Sequence, residues 1–77
     1  MIILTEEFMA KAAIEAALFA SGRTVSLKEL ADLSGRSAEQ AERLAEELAA
    51  EYAARQSGLE IRRIGDGYSM QVRYALT

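Results

Sequence analysis

Cysteine and histidine are both absent from this chain of 77 residues. Without them the chain has no disulfides, no zinc sites built on cysteine and histidine, no thiol nucleophile and no catalytic triad that uses imidazole. The sequence also lacks a Walker pattern and a Gly-x-Gly-x-x-Gly phosphate-binding loop. These absences exclude most classes of enzyme, and we expect neither a cofactor nor a metal ion.

Signals for secretion and for membrane insertion are missing as well. The first residues, "MIILTEEF", carry no basic segment and no small-residue cleavage site. The longest mostly apolar stretch, residues 8–20, is too short to span a bilayer and is interrupted by Lys11 and Glu15. We therefore expect a soluble, cytoplasmic protein.

The composition is that of one small folded domain. Apolar residues make up 51% of the chain and charged residues 27%, which is a globular balance and not a disordered one. A chain of this length is near the limit at which one core is sufficient, so a second buried surface would stabilise it. The net charge of -3 and the pI near 4.9 differ from the basic character of most nucleic-acid-binding domains.

Two helices are predicted in the first half of the chain. Residues 7–20 are rich in helix formers and are followed by Gly22, which suits the left-handed conformation that stops a helix. Ser26 with Glu29 predicts a capping box at the start of the second helix, which should run to about Ser34.

A third helix follows the turn "SGRS". Ser37 with Gln40 predicts another capping box, and we expect this helix to continue to about Gln56. Its apolar residues recur every three or four positions and should form one buried face: Ala41, Leu44, Ala45, Leu48 and Tyr52.

Alternating apolar and polar residues predict two strands after the helices, in "LEIRRI" and "GYSMQVRY". The turn Gly65-Asp66-Gly67 between them supplies the positive φ angles of a tight hairpin, and Val25 predicts a short extended piece before the second helix. The apolar positions of the last strand should share one side: Tyr68, Met70, Val72 and Tyr74.

The predicted order of helices and strands is that of a winged helix-turn-helix, an α+β fold in which a three-helix core carries a C-terminal β-hairpin wing. Residues 1–77 are expected to form one such domain.

Five glutamates occupy the third helix on the side away from its apolar face: Glu39, Glu42, Glu46, Glu47 and Glu51. Paired carboxylates can act as acid and base, but a solvated helix face explains these residues better. Their spacing predicts two ion pairs four residues apart, Glu39 with Arg43 and Glu51 with Arg55. If the outer side of this helix recognises a partner, we expect a basic protein surface.

Four arginines support an alternative function, that of a DNA-binding transcriptional regulator. Arg62, Arg63 and Arg73 give the predicted wing a basic character, and Arg36 in the turn could contact a phosphate. The third helix argues against this alternative, because its glutamates would enter a groove lined by phosphates.

The first helix carries more apolar surface than one small core can cover. Only Lys11 and Glu15 are charged between residues 8 and 19, and an apolar surface beyond the core marks an interaction site more often than not. The hairpin or the N-terminal residues "IIL" could fold over it instead. Our candidates for partner contact are Ile3, Leu4, Phe8, Met9 and Phe19.

Four segments of the sequence are informative in combination: "IEAALFASG" (14–22), "VSLKELADL" (25–33), "LAEELAAEY" (44–52) and "SGLEIRRIGDGYSM" (57–70). In this order and spacing they resemble the first winged-helix domain of segregation and condensation protein B, ScpB, and the resemblance covers about residues 12–74.

The resemblance implies a non-enzymatic subunit of the SMC complex that condenses and segregates chromosomes. It implies a homodimer that binds the kleisin ScpA and, through it, SMC, and that is nucleoid-associated through the complex. It also implies that the chain is the N-terminal domain of a longer, two-domain protein.

Overall fold

Three helices and a three-stranded antiparallel sheet make up the described part of the chain, residues 6–73 of a computed structural model. The elements are α1 (Glu6–Ser21), β1 (Val25–Ser26), α2 (Leu27–Ser34), α3 (Ala38–Ala54), β2 (Leu59–Ile64) and β3 (Gly67–Val72). The predicted α+β winged-helix fold is therefore confirmed. No helix in this range is long and apolar enough to cross a membrane.

The helix ends follow the local signals of the sequence, apart from half of one capping box and the end of α3. Ser37 and Gln40 form both halves of the predicted capping box, and Gly22 has the left-handed φ of 64°. At α2 only half of the predicted box is present: the Ser26 hydroxyl accepts from the Glu29 N–H, at 3.1 Å. The Glu29 carboxylate is engaged elsewhere, because it pairs with the guanidinium of Arg23 at 3.1 Å.

The end of α3 differs from its predicted boundary. The helix stops at Ala54, two residues before the expected end. Gln56 then adopts a positive φ of 51°, which is uncommon for a residue other than glycine. This reversal directs the chain into β2, whose start is joined to the end of β3 by a hydrogen bond from the Arg73 N–H to the Gly58 carbonyl.

The wing is a two-residue hairpin at the edge of the sheet. The strand order is β1-β3-β2, and Ile64 pairs with Gly67 across the turn. Gly65, the first turn residue, has a φ of 60°, which a two-residue hairpin accommodates most easily with glycine. The Leu27 N–H donates to the Asp66 carbonyl at 2.9 Å, so the turn is tied to the start of α2.

One core joins the helices to the inner side of the sheet. The five predicted residues of α3 are all buried, and Ile61 and Tyr68 close the core from the strands. On β3, burial decreases towards the end of the strand, where Val72 is 61% exposed; Tyr74 lies outside the described residues. The remaining buried residues come from the first half of the chain: Ala10, Ile14, Leu18, Val25 and Leu30.

Gly67 provides the first test of this fold, because β1 approaches it too closely for any side chain. A Cβ at this position would lie 2.4 Å from the Val25 carbonyl oxygen, whereas one at Gly58 would meet nothing within 4 Å. Gly67→Ala should therefore lower the free energy of unfolding by about 1–3 kcal/mol, and Gly58→Ala should leave it nearly unchanged. Urea unfolding of both variants measures the difference. Equal stability of the two would contradict the observed pairing of β1 with β3.

Candidate protein-interaction surface

The outward side of α1 is apolar along its length. After the first turn, every exposed residue of this helix is apolar. Phe8, Met9 and Phe19 are 56%, 57% and 71% exposed. At about 100° per residue, these positions lie within an arc of roughly 120°. We call this surface the α1 face; its residues are Phe8, Met9, Ala12, Ala16, Phe19 and Ala20.

The two charged residues in the body of α1 are turned towards α3. The Lys11 ammonium pairs with the carboxylates of Glu51 and Glu47, the latter at 3.4 Å. The Glu15 carboxylate accepts a hydrogen bond of 2.5 Å from the hydroxyl of Tyr52. Charges that would interrupt the α1 face are thereby held between the helices, and the face itself carries none.

The hydrogen bonds also raise the pKa values of Lys11 and Tyr52. The bond to Glu51, followed by the one to Glu47, raises the pKa of Lys11 above its ordinary value, although burial opposes the shift. The bond to Glu15, reinforced by burial, raises the pKa of Tyr52. Both shifts favour the protonated forms that these contacts use, the Lys11 cation and the neutral hydroxyl of Tyr52.

Two open depressions border the α1 face. One, of about 540 Å³, lies between α1 and the end of α2 and includes Met9, Ala13 and Leu33. The other, of about 320 Å³, lies between α1 and α3 and includes Phe8 and Leu48. Apolar surface thus continues from the face into both flanks.

The structure describes three of the five candidate residues for partner contact. Phe8, Met9 and Phe19 are brought together on the α1 face, while Ile3 and Leu4 lie outside the described residues. The hairpin does not cover the face, since the inner side of the sheet packs on the core and these three side chains remain exposed. Ala12, Ala16 and Ala20 complete the face, and their spacing in the sequence could have identified them.

The glutamates of α3 lie on a solvent-accessible side, as predicted, and most of them also contact other parts of the domain. The Glu42 carboxylate pairs with the guanidinium of Arg63. The Glu46 carboxylate accepts from the hydroxyl of Tyr68 at 2.5 Å. With Glu47 and Glu51 bound to Lys11, four of the five predicted acidic residues have partners on α1 or in the wing. Among residues 6–73, Glu39 has no such partner.

The two ion pairs predicted within α3 are wrong. Arg43 lies 3.9 Å from the carboxylates of Glu7 and Glu47, and not against Glu39. Arg55 lies over the ring of Tyr52, with its Cζ 4.2 Å from the ring centroid, and not against Glu51. Arg43 instead pairs with the glutamate four residues after it and with one on α1, and Arg55 contacts an aromatic face on its own helix.

The alternative DNA contacts are scattered, and most of these arginines face the domain itself. The guanidinium of Arg73 donates to carbonyl oxygens at the end of α3 and beyond it, and Arg63 is held by Glu42. Arg36 lies 4.0 Å from the carboxylate of Glu6. Arg62 is exposed, and within the described range its side chain has no ion pair.

Tyr68 connects the wing to α3 and has the largest pKa shift in the described structure. Burial, followed by the hydrogen bond to Glu46, raises the pKa of its hydroxyl to about 12. The guanidinium of Arg63 lies 3.4 Å from the same hydroxyl. These groups therefore attach the wing to α3. They occupy the side of α3 that a DNA-recognition helix would leave accessible to DNA.

The pKa of Tyr68 predicts how stability changes at alkaline pH. As the pH rises above 10, the unfolded chain loses this proton while the folded protein keeps it until about pH 12. The free energy of unfolding should therefore fall between pH 10 and 12, and less steeply in Tyr68→Phe. Urea unfolding at pH 9, 10 and 11 measures both slopes. Identical slopes for the two proteins would show that Tyr68 titrates normally.

The described carboxylates form no arrangement that suits metal binding. Among residues 6–73, no three Asp or Glu side chains are grouped so that they could hold an ion. Every buried side-chain nitrogen or oxygen there has a hydrogen-bond partner. Among the described residues, the exposed α1 face is our candidate surface for contact with a partner.

Comparison with known proteins agrees with this architecture. The chain is similar to the crystal structure of ScpB from Mycobacterium tuberculosis, with a TM-score of 0.79, 24% identity, and coverage of 94% of this chain and 44% of that chain. It is also similar to a conserved hypothetical protein from Chlorobium tepidum, with a TM-score of 0.75, 21% identity, and coverage of 88% and 43%. No curated protein matches it.

These solved structures share the fold, and the chain spans less than half the length of either. The sequence itself carries the family assignment. The family model described as "Segregation and condensation complex subunit ScpB" matches residues 12–77, which include all of α2, α3 and the wing. The chain is thus a member of the ScpB family.

Proposed function

We propose that this chain is a non-enzymatic, protein-interaction part of an SMC–kleisin complex that condenses and segregates chromosomes, and that it works as a homodimer. Membership of the ScpB family supports the assignment to that complex. The α1 face supports the mode of action, because it is an uncharged surface suited to protein contact.

The main support for this proposal is that Phe8, Met9 and Phe19 are exposed on one side of α1, while Lys11 and Glu15 bond to α3. Burying apolar surface is favourable by about 25 cal/mol per Å², and aromatic residues supply the largest share at most interfaces. A domain of this size also gains from a second buried surface. Dimerisation through the α1 face provides one.

The proposed partners outside the dimer are the kleisin ScpA and, through it, SMC. The proposed context is cytoplasmic, with the protein associated with the nucleoid through the complex. We further propose that residues 1–77 are the first of two winged-helix domains, which agrees with the 44% and 43% coverage of the solved structures.

Direct DNA binding is not part of this proposal. Positioning α3 in a groove would bring its acidic side towards phosphates, and it would compete with the pairing of Glu42 with Arg63 and of Glu46 with Tyr68. The single exposed arginine of the wing that lacks an ion pair among the described residues, Arg62, offers little compensation.

The dimer is tested by removing its aromatic residues. The double variant Phe8→Ser, Phe19→Ser should weaken association by at least about 2 kcal/mol, or roughly thirtyfold in Kd. Sedimentation equilibrium at high micromolar concentration measures this change. Val72→Ser is the control, because Val72 is apolar and its exposure of 61% lies between those of Phe8 and Phe19, but it is in the wing.

The wild type and Val72→Ser should be dimers, and the double variant should be a folded monomer with unchanged circular dichroism. A monomeric wild type would refute the proposed homodimer for this chain. Equal association of the double variant and the control would place the contact on another surface.

A further inference from the structure

The positions of the α1 face are arranged symmetrically along the helix. The exposed positions form three pairs, each equally far from Ile14 in opposite directions along the helix: Phe8 and Ala20, Met9 and Phe19, and Ala12 and Ala16. Turning the helix end to end about Ile14 therefore places the same set of positions on the face. A two-fold interface requires this property, because each copy must present the same patch to the other. The face is thus suited to a second copy of its own helix.

The paired side chains are also complementary in size. Under this reversal the large ring of Phe8 meets the small Ala20 of the other copy, and the ring of Phe19 meets the flexible thioether of Met9. Contacts between sulfur and an aromatic ring are favourable. At the centre, Ala12 meets Ala16, and side chains of this size allow two helix axes to approach to about 8 Å.

Charge at the helix ends selects the antiparallel orientation over the parallel one. The first turn of α1 is acidic, with Glu6 and Glu7, and Arg23, which is exposed and also pairs with Glu29 of its own copy, lies just beyond the C-terminus of α1. Antiparallel helices bring each acidic turn near the other copy's arginine and oppose the helix dipoles favourably. Parallel helices would bring the two acidic turns together, which is repulsive.

The available area is sufficient for a specific but modest dimer. Aromatic residues bury about 150–250 Å² each, so the exposed fractions of Phe8, Met9 and Phe19 represent roughly 350 Å² per copy. With the three alanines, two copies would bury on the order of 1,000 Å², which is at the low end of specific interfaces. We expect association in the micromolar range.

We propose that two copies pair through antiparallel α1 helices that cross at Ala12 and Ala16, with Phe8 and Phe19 of each copy packing at the two ends of the contact. This arrangement rests on the proposed homodimer and specifies its geometry. Lys11 and Glu15 are positioning residues in it, because their bonds to α3 keep both charges away from the crossing.

Single cysteines test the orientation, since the chain contains none of its own. Ala12→Cys and Ala16→Cys chains, one of them isotope-labelled, are mixed and oxidised, and the mixed disulfide is quantified by mass spectrometry. Antiparallel pairing brings these positions within disulfide range, whereas two copies of Ala20→Cys would be roughly 18 Å apart along the helix axis. Glu39→Cys on α3 is the matched exposed control.

The proposal predicts that the mixed disulfide forms at least about tenfold faster than the Ala20→Cys or Glu39→Cys disulfides, given the short reach of a disulfide. Rapid self-coupling of Ala20→Cys would overturn it in favour of parallel helices. A wild type that sediments as a dimer, together with slow coupling at all of these positions, would overturn the geometry and leave the homodimer standing. A monomeric wild type would overturn both.

Discussion

The polar contacts between α1 and α3 determine which side of α1 is left without charge. Lys11 bridges two carboxylates of α3, and Glu15 holds the hydroxyl of Tyr52. These bonds join the two longest helices at half-buried positions, where charge-assisted hydrogen bonds are stronger than neutral ones. They also turn the only charges in the body of α1 away from its outer side, which leaves that side free for apolar contact.

A second set of polar contacts joins α3 to the β-hairpin wing. Arg63 and Tyr68 of the wing bind Glu42 and Glu46 of the helix, so both strands of the hairpin are anchored to it. In a DNA-binding winged helix, the corresponding helix enters the major groove. Here the same side is acidic and its carboxylates are engaged within the domain, which explains how the fold can serve protein assembly.

Local rules in the sequence account for most of the fold and for part of the candidate site. Capping residues, helix-stopping glycines and apolar spacing predicted the three helices and the hairpin, because these features depend on neighbours within four residues. The partners of Arg43 and Arg55 were predicted wrongly, because Glu7 of α1 and Glu47 on the next turn of α3 compete for Arg43, and the ring of Tyr52 competes for Arg55. The close approach at Gly67 and the positive φ of Gln56 also depend on tertiary packing, and no local pattern indicates either one. The exposure of Phe8 and Phe19 was predictable, since one small core cannot cover all the apolar residues of a helix that has only two charges between residues 8 and 19.

The most direct test of the account is whether the α1 face lies against its own copy in solution. An isotope-filtered nuclear Overhauser experiment on a mixture of labelled and unlabelled chains detects only contacts between copies. The account predicts intermolecular signals between the ring of Phe19 and the methyl group of Met9. Intermolecular signals confined to other exposed apolar residues, such as Ile64 and Val72 of the wing, would contradict it.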